Sequence, residues 1–402
     1  MSSAKKFQDQ FVSTLKTLSP AFPISQQVVD AFYAVPRHHF IKKYRLPDKS
    51  DWVVINDRNL EENLPYLYTN DPIIIHGTAE DFINPEGKPI ATISQLDLVL
   101  FMLELLKLEK GQKVFELGAA SGFNAALMGH LVGSIGKVVS VEIISDLVET
   151  ARESVKQLGL TQVEIIQGDG GDGYSTYAPY DRAVFTAGST DLPGTFFKDV
   201  KTGGRLILIL ENKGGVDALI LFEKKEDHFQ SLLITNCNFV SATGKHQLAG
   251  VGPKYLDQIL LENQIAPNAV DHFPFKWKHA NENSFYWFTT KIRSYLSVSE
   301  PMFEQIRLDN KIMAFGLLDK KSKSLVVVKH DELVSYGSTQ AREYFGAVMK
   351  RWAGMGTPGF ENLQVKAYPA DHEVKVGNGE WLVRQKESQF LWSKVDMSQT
   401  AK

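Results

Sequence analysis

Three carboxylates stand at or near the ends of three short apolar runs. "KVFEL" carries Glu116 and leads into "GAASG", whose glycines are Gly118 and Gly122. "KVVSVE" ends on Glu142, and "VEIIQ" is followed by "GDGGDG", which places Asp169 and Gly170 in a glycine-flanked turn. Glycine at a strand-to-helix corner permits positive φ and close approach of a ligand to the backbone. The helix that follows offers free N–H groups and a partial positive charge. An acid ending a second strand accepts both hydroxyls of a ribose. A carboxylate in the third turn meets an adenine amino group. Thr186 and Ala187, after the run "DRAVF", fall at the carboxyl end of a fourth strand, where ligands of open α/β sheets sit. Each feature alone has a plainer reading: a packing glycine, a helix N-terminal acid at Glu142, a turn residue at Asp169. Together, at consecutive strand ends, they point to a nucleoside.

NAD and S-adenosyl-L-methionine both fit such a corner. The dinucleotide fingerprint Gly-x-Gly-x-x-Gly, set on Gly118, requires glycine at 120 and 123, where Ala120 and Phe123 stand. Glu116 at the end of the first strand, followed by spaced glycines, fits S-adenosyl-L-methionine better. The bend from Gly118 to Gly122 would cradle its methionine part, with Ala120 in place of a middle glycine.

The elements that position these residues follow from periodicity. Between about 92 and 222, apolar runs at "KVFEL", "KVVSVE", "VEIIQ", "DRAVFT" and "GRLILIL" alternate with helical patterns near 95–108, 123–132, 145–158 and 192–200. That alternation predicts an α/β fold, a parallel sheet with helices on both faces. "ALILFEK" and "QSLLITNCNFV" predict an antiparallel edge pair. Residues 5–45 read as helical, with apolar positions at Phe11, Leu15 and Leu18, then Val28, Val29 and Phe32; 46–90 read mostly as loop with short strands. The glycine-rich 240–256 reads as a boundary. "TQAREYFGAVMKRWAGMG" reads as an amphipathic helix in a mixed C-terminal region. The expected division is an N-terminal segment 1–90, a nucleoside-binding domain 91–240 and an accessory domain 257–402.

The 402 residues carry a net charge of −3 and no long basic run, which argues against a phosphate-gripping nucleic-acid binder. One cysteine, Cys237, allows neither an internal disulfide nor a cysteine-based metal site. The start lacks the apolar region of a signal peptide, and no run approaches 18 apolar residues. A soluble, cytoplasmic protein of a reducing compartment is the expectation, with no membrane partner.

Three further segments carry a resemblance. "AVPRHHF" at 34–40, "ATISQ" at 91–95 and "APYDRAVFTAGSTDLPGTFFKDVKTGGRLIL" at 178–208, together with "GDG" at 168–170, resemble the protein-L-isoaspartate O-methyltransferases. The motifs come in family order across roughly residues 10–215, and the tail is similar to extensions on longer bacterial members. The resemblance implies a Rossmann-like class I methyltransferase using S-adenosyl-L-methionine. It would methylate L-isoaspartyl carboxylates of damaged peptides or proteins, leading to repair through a succinimide. A carboxylate is ionised at neutral pH, so no general base is needed. Ser94 would hold one carboxylate oxygen, with Thr92 a second donor; alternatively Ser94 caps the helix that follows. The cofactor set is Glu116, Gly118, Ala120, Gly122, Glu142, Asp169, Gly170 and Thr186.

Leu96 and Asp97 depart from the family pattern, where a proline and an aromatic or histidine are usual. They leave open two rivals: an aspartyl methyltransferase of a dedicated ribosomal peptide, recognised by 240–402, and a non-catalytic binder of the cofactor. A nucleic-acid or small-molecule methyltransferase is a further alternative, the former disfavoured by charge. His38 and His39, adjacent and pointing apart, make a poor metal pair, and with Arg37 read as packing or surface residues. The aromatic stretch 273–288 reads as core.

Overall fold

The computed structural model describes residues 3–18, 23–45, 51–77, 90–213, 215–246, 253–277, 284–309 and 313–395. Its centre is a ten-stranded sheet. In chain order the strands are β1 (Lys113–Leu117), β2 (Lys137–Glu142), β3 (Val163–Gln167), β4 (Tyr180–Phe185), β5 (Val200–Leu210), β6 (Asp217–Lys224), β7 (Phe229–Cys237), β8 (Leu363–Pro369), β9 (Glu380–Arg384) and β10 (Ser388–Lys394). Their spatial order is β9-β10-β8-β7-β6-β5-β4-β1-β2-β3.

β3, β2, β1, β4 and β5 are parallel neighbours. Val114, Phe115, Val138, Val139, Ala183 and Val184 are wholly buried, as continuous apolar runs covered on both faces require. Helices Phe123–Val132 and Ser145–Gln157 make the crossovers. The first starts behind Gly122 at φ +84° and stops at Gly133 at φ +68°. Chain order reverses between β1 and β4, so a crevice opens at their carboxyl ends. The expected α/β architecture is the one found.

Several expectations need correction. The helix read at 192–200 is only Phe196–Asp199, because β5 begins at Val200. Residues 46–90 include the helix Leu60–Leu67, whose Pro65 hid it from a periodicity reading. Phe11 and Leu15 are buried as expected; the side chain of Leu18 lies outside the described residues. β6 and β7 are antiparallel, but β7 is no edge: Phe229 and Gln230 pair with Ala367 and Lys366 of β8.

The C-terminal region does two things. A six-stranded sheet forms from Lys254–Tyr255, Ala269–Pro274, Phe303–Arg307, Met313–Asp319, Ser324–Val328 and Glu332–Tyr336. Helix Gln340–Gly354 buries Ala341, Phe345 and Val348 beside it. The chain then returns to the central sheet as β8, β9 and β10. One apolar cluster runs from Phe115 and Phe196 through Phe229 to Phe315 and Trp392. Within 273–288, Phe285 is buried while Phe273, Trp287 and Phe288 are exposed, so only part of that stretch is core.

Candidate functional site

The carboxyl ends of β1, β2, β3 and β4 meet at a cleft of about 1120 Å³, open mouth included. Its floor is the bend after β1. Gly118 takes φ +94°, and a Cβ there would stand 2.8 Å from Thr186 Oγ1. The Thr186 hydroxyl lies 2.9 Å from the Leu117 carbonyl and 2.5 Å from the Gly118 carbonyl, its one proton shared between them, and so joins the ends of β1 and β4. Ala120 takes φ +45°, a conformation easier for glycine. Its amide donates to Glu142 Oε2 at 2.7 Å, and Ile144 N–H donates to Oε1 at 2.9 Å. Each carboxylate oxygen thus keeps a lone pair for a further donor. Burial pushes the Glu142 carboxyl up, while the Ile144 and Ala120 amides oppose that shift.

Glu116 lines the cleft from behind its wall. It is wholly buried, accepting from the Asn124 amide and the Ser140 hydroxyl. Burial raises its carboxyl to about 7, although both hydrogen bonds act in the opposite direction. Asp169, at the β3 end, accepts from Gly171 N–H and Lys245 N–H, each at 2.9 Å. Gly170 is packed so closely that a Cβ would stand 2.5 Å from Leu117 Cγ. Gly122 is the exception in the expected set. It does not line the cleft: it faces helix Ser145–Gln157, where a Cβ would stand 3.1 Å from Ala151 Cβ. Its glycine serves helix entry and packing.

The same cleft is lined by Thr92, on the strand Ala91–Ile93, and by Ser94 just after it. Ser94 is not the helix cap. That position is Gln95, which makes no side-chain cap bond; Asp97 Oδ1 instead accepts from Leu98 N–H at 2.7 Å. Asp97 is therefore occupied in the first turn and lies outside the cleft wall, and Leu96 is buried. Among the described residues the Ser94 hydroxyl makes no hydrogen bond.

Two contributors escaped the sequence reading. Arg37 is wholly buried, and its guanidinium donates to four carbonyls, of Leu67, Thr69, Ile93 and Ser94. It fixes the backbone that carries Ser94. Burial lowers its pKa to about 9. The signal was an arginine between apolar Val35 and Phe40. His38 and His39 do pack: they meet the Tyr68 hydroxyl at 2.8 Å and the Ser154 carbonyl at 3.0 Å. The second contributor is the segment 239–246, read as the start of a boundary. Phe239 to Thr243 and His246 form a wall of the cleft. Gly188 N–H donates to Val240 O at 2.8 Å and Ala242 N–H to Gly188 O at 2.7 Å, holding this strap beside the β4 end.

The floor fits S-adenosyl-L-methionine on its own geometry. Side-chain-free backbone at Gly118, an acid at the β2 end and an acid at the β3 end share one cleft. Among the described residues no group of three or more histidine, cysteine or carboxylate side chains is placed to hold a metal ion, and no helix is long and apolar enough to cross a membrane.

Comparison with known proteins gives a consistent family. The family model described as Protein-L-isoaspartate(D-aspartate) O-methyltransferase (PCMT) matches residues 9–247, which takes in the strap. The chain is 35% identical over 190 residues to the Protein-L-isoaspartate O-methyltransferase of Methanococcus maripaludis, covering 47% of this chain and 76% of that one. It is 34% identical over 204 residues to Protein-L-isoaspartate O-methyltransferase 2 of Archaeoglobus fulgidus, covering 50% and 78%. A solved protein-L-isoaspartate O-methyltransferase superposes with a TM-score of 0.52 at 23% identity, over 89% of this chain and 96% of that one. The shared fold therefore extends into the C-terminal region.

Proposed function

We propose, on the premise that the chain belongs to the protein-L-isoaspartate(D-aspartate) O-methyltransferase family, that it is an S-adenosyl-L-methionine-dependent carboxyl O-methyltransferase of isoaspartyl residues in peptides or proteins, working in the cytoplasm. The observation that carries this reading is that Ser94 lines one cleft with the Gly118 bend, and with Glu142 and Asp169 at the neighbouring strand ends. When bound, the cofactor supplies a methyl group on a sulfonium, which a carboxylate oxygen takes as the carbon–sulfur bond breaks and its electron pair goes to sulfur.

The residues here align and desolvate rather than transfer protons. Glu142 would offer its remaining lone pairs to the ribose hydroxyls. Asp169 would meet the adenine amino group, and the backbone at Gly118 and Ala120 would hold the methionine arm. Ser94 donates to one carboxylate oxygen, which leaves the other directed at the methyl group; Thr92 stands two positions earlier, on the strand Ala91–Ile93. Arg37 holds Ser94 in place through its carbonyl. The methyl ester so formed is a better electrophile than the carboxylate: the neighbouring backbone amide nitrogen attacks its carbonyl carbon and methanol leaves, which closes a succinimide and permits repair. The described parts of residues 1–90 pack on the catalytic unit and 257–402 serve it as an accessory region.

The test is methyl transfer to matched peptides that differ only in an isoaspartyl or an aspartyl linkage. Transfer to the isoaspartyl form alone supports the reading. Transfer to the aspartyl form alone replaces it with aspartyl methylation, and cofactor binding without transfer to either leaves a binding protein.

A further inference from the structure

The C-terminal hairpin meets the cleft wall at His246. His246 closes the strap, and its ring lies against Gly171, where a Cβ would stand 2.3 Å from His246 Cδ2. Its Nε2 is 3.0 Å from Asp172 Oδ1 and its Nδ1 is 2.6 Å from Glu387 Oε1. Glu387 sits in the turn between β9 and β10, beyond the residues that the family model matches. That turn is itself anchored. Glu387 Oε2 accepts from Gly194 N–H at 3.1 Å, and Glu387 N–H donates to Asp191 Oδ2 at 2.7 Å. Asp191, which is 1% exposed, also accepts from the Ser388 hydroxyl and from Leu192 N–H. On the other side, Lys245 N–H reaches Asp169 Oδ2, and Lys245 Nζ is 2.6 Å from Asp172 Oδ1. Gly244, at φ +126°, allows this approach, since a Cβ there would stand 2.3 Å from Asp169 Oδ2.

We infer that His246 and Glu387 are positioning residues for the cofactor: the tail supplies a carboxylate that holds His246 across the 169–172 loop and so fixes Asp169 toward the adenine end of the cleft. The inference rests on the cofactor reading given above. No contact of Glu387 with substrate is required; it acts through His246. The linkage makes the tail part of the cofactor site instead of a separate appendage.

The chemistry of the bridge predicts its pH dependence. A charged imidazole donates to both carboxylates, whereas a neutral one donates to only one. Burial disfavours the charge on His246, but the Asp172 and Glu387 hydrogen bonds outweigh it and its pKa is raised. The charged groups facing the ring are Asp172 and Asp169 on the β3 loop, Lys245 on the strap, and Glu387 on the hairpin, with Lys386 beside it. The bridge is complete below the raised histidine pKa and weakens as pH rises through it.

The experiment is titration of the full-length chain with S-adenosylhomocysteine, by calorimetry across pH 6 to 8. Expected is an affinity that falls with rising pH in the wild type. His246→Ala and Glu387→Gln should each weaken binding about tenfold at the low end, the scale of one charge-assisted hydrogen bond. Glu387→Gln should also move the pH midpoint downward, a change that mere loss of thermal stability does not produce. Variants that bind as the wild type does, with the same midpoint, overturn the inference and leave the cofactor reading standing. A wild-type chain that binds no S-adenosylhomocysteine overturns both.

Discussion

The amide of Ala120 donates to Glu142 Oε2 at 2.7 Å, so the bend after β1 and the acid ending β2 are one rigid corner. Glu142 therefore has two duties, shaping the bend and meeting a ligand. Glu142→Ala should weaken S-adenosylhomocysteine binding at least about tenfold, since a charge-assisted contact is lost and two amides are left unpaired. Peptide KM at saturating cofactor should stay nearly constant. Calorimetry and steady-state kinetics measure the two quantities separately.

Ser94 should show the opposite pattern. Ser94 lines the cleft, and the helix cap is Gln95. Ser94→Ala should lower turnover about tenfold or more while cofactor affinity is unchanged, because the lost hydrogen bond acts on the peptide carboxylate. A fall in thermal stability alone would contradict this role.

Arg37 tests whether the serine loop needs its backbone clamp. Arg37→Met leaves the carbonyls of Leu67, Thr69, Ile93 and Ser94 without their donor. Stability should drop by about 3 kcal/mol in urea unfolding. Arg37→Lys should recover only part of it, since one ammonium lacks the planar fork that spans several carbonyls.

Gly118→Ala places a Cβ 2.8 Å from Thr186 Oγ1 at φ +94°. Strained backbone of this kind costs about 1–3 kcal/mol. Urea unfolding should report that loss, and S-adenosylhomocysteine binding should weaken with it because the floor of the cleft must shift.

Glu116 gives a pH signature of stability. Burial raises its carboxyl from 4.5 to about 7, so between those values the folded chain binds more protons than the unfolded chain. Its contribution is full below pH 4.5 and is lost as pH rises through about 7. Glu116→Gln should flatten this part of the Tm profile, measured by calorimetry from pH 5 to 8.

The parallel half of the sheet was legible in the sequence because its signals are local. "KVFEL", "KVVSVE" and "VEIIQ" coincide with β1, β2 and β3, and the helix read at 123–132 is Phe123–Val132. Short apolar runs, glycine corners and amphipathic periods are complete within a dozen residues. What was hidden is non-local. Nothing near Phe229 announces that Ala367 will pair with it, so β7 read as an edge. Nothing near His246 announces Glu387, so the strap read as a boundary. The site divides the same way: Gly118, Glu142 and Asp169 stand at ends of recognisable strands, whereas Arg37 shows its purpose only when four distant carbonyls converge on it. Gly122 packs on Ala151, and a glycine that meets a ligand and one that meets a neighbouring helix look alike in a string of letters.

The return of β8 to β7 bears on how this molecule can be cut. Shortened near residue 240, the chain would bare the outer rim of β7 and strip Phe229 of its neighbour Ala367 and of the part of the cluster that reaches Trp392. Raw strand rims recruit other chains. A shortened protein would clump before it revealed anything about catalysis, and single substitutions at the hairpin are the cleaner scalpel.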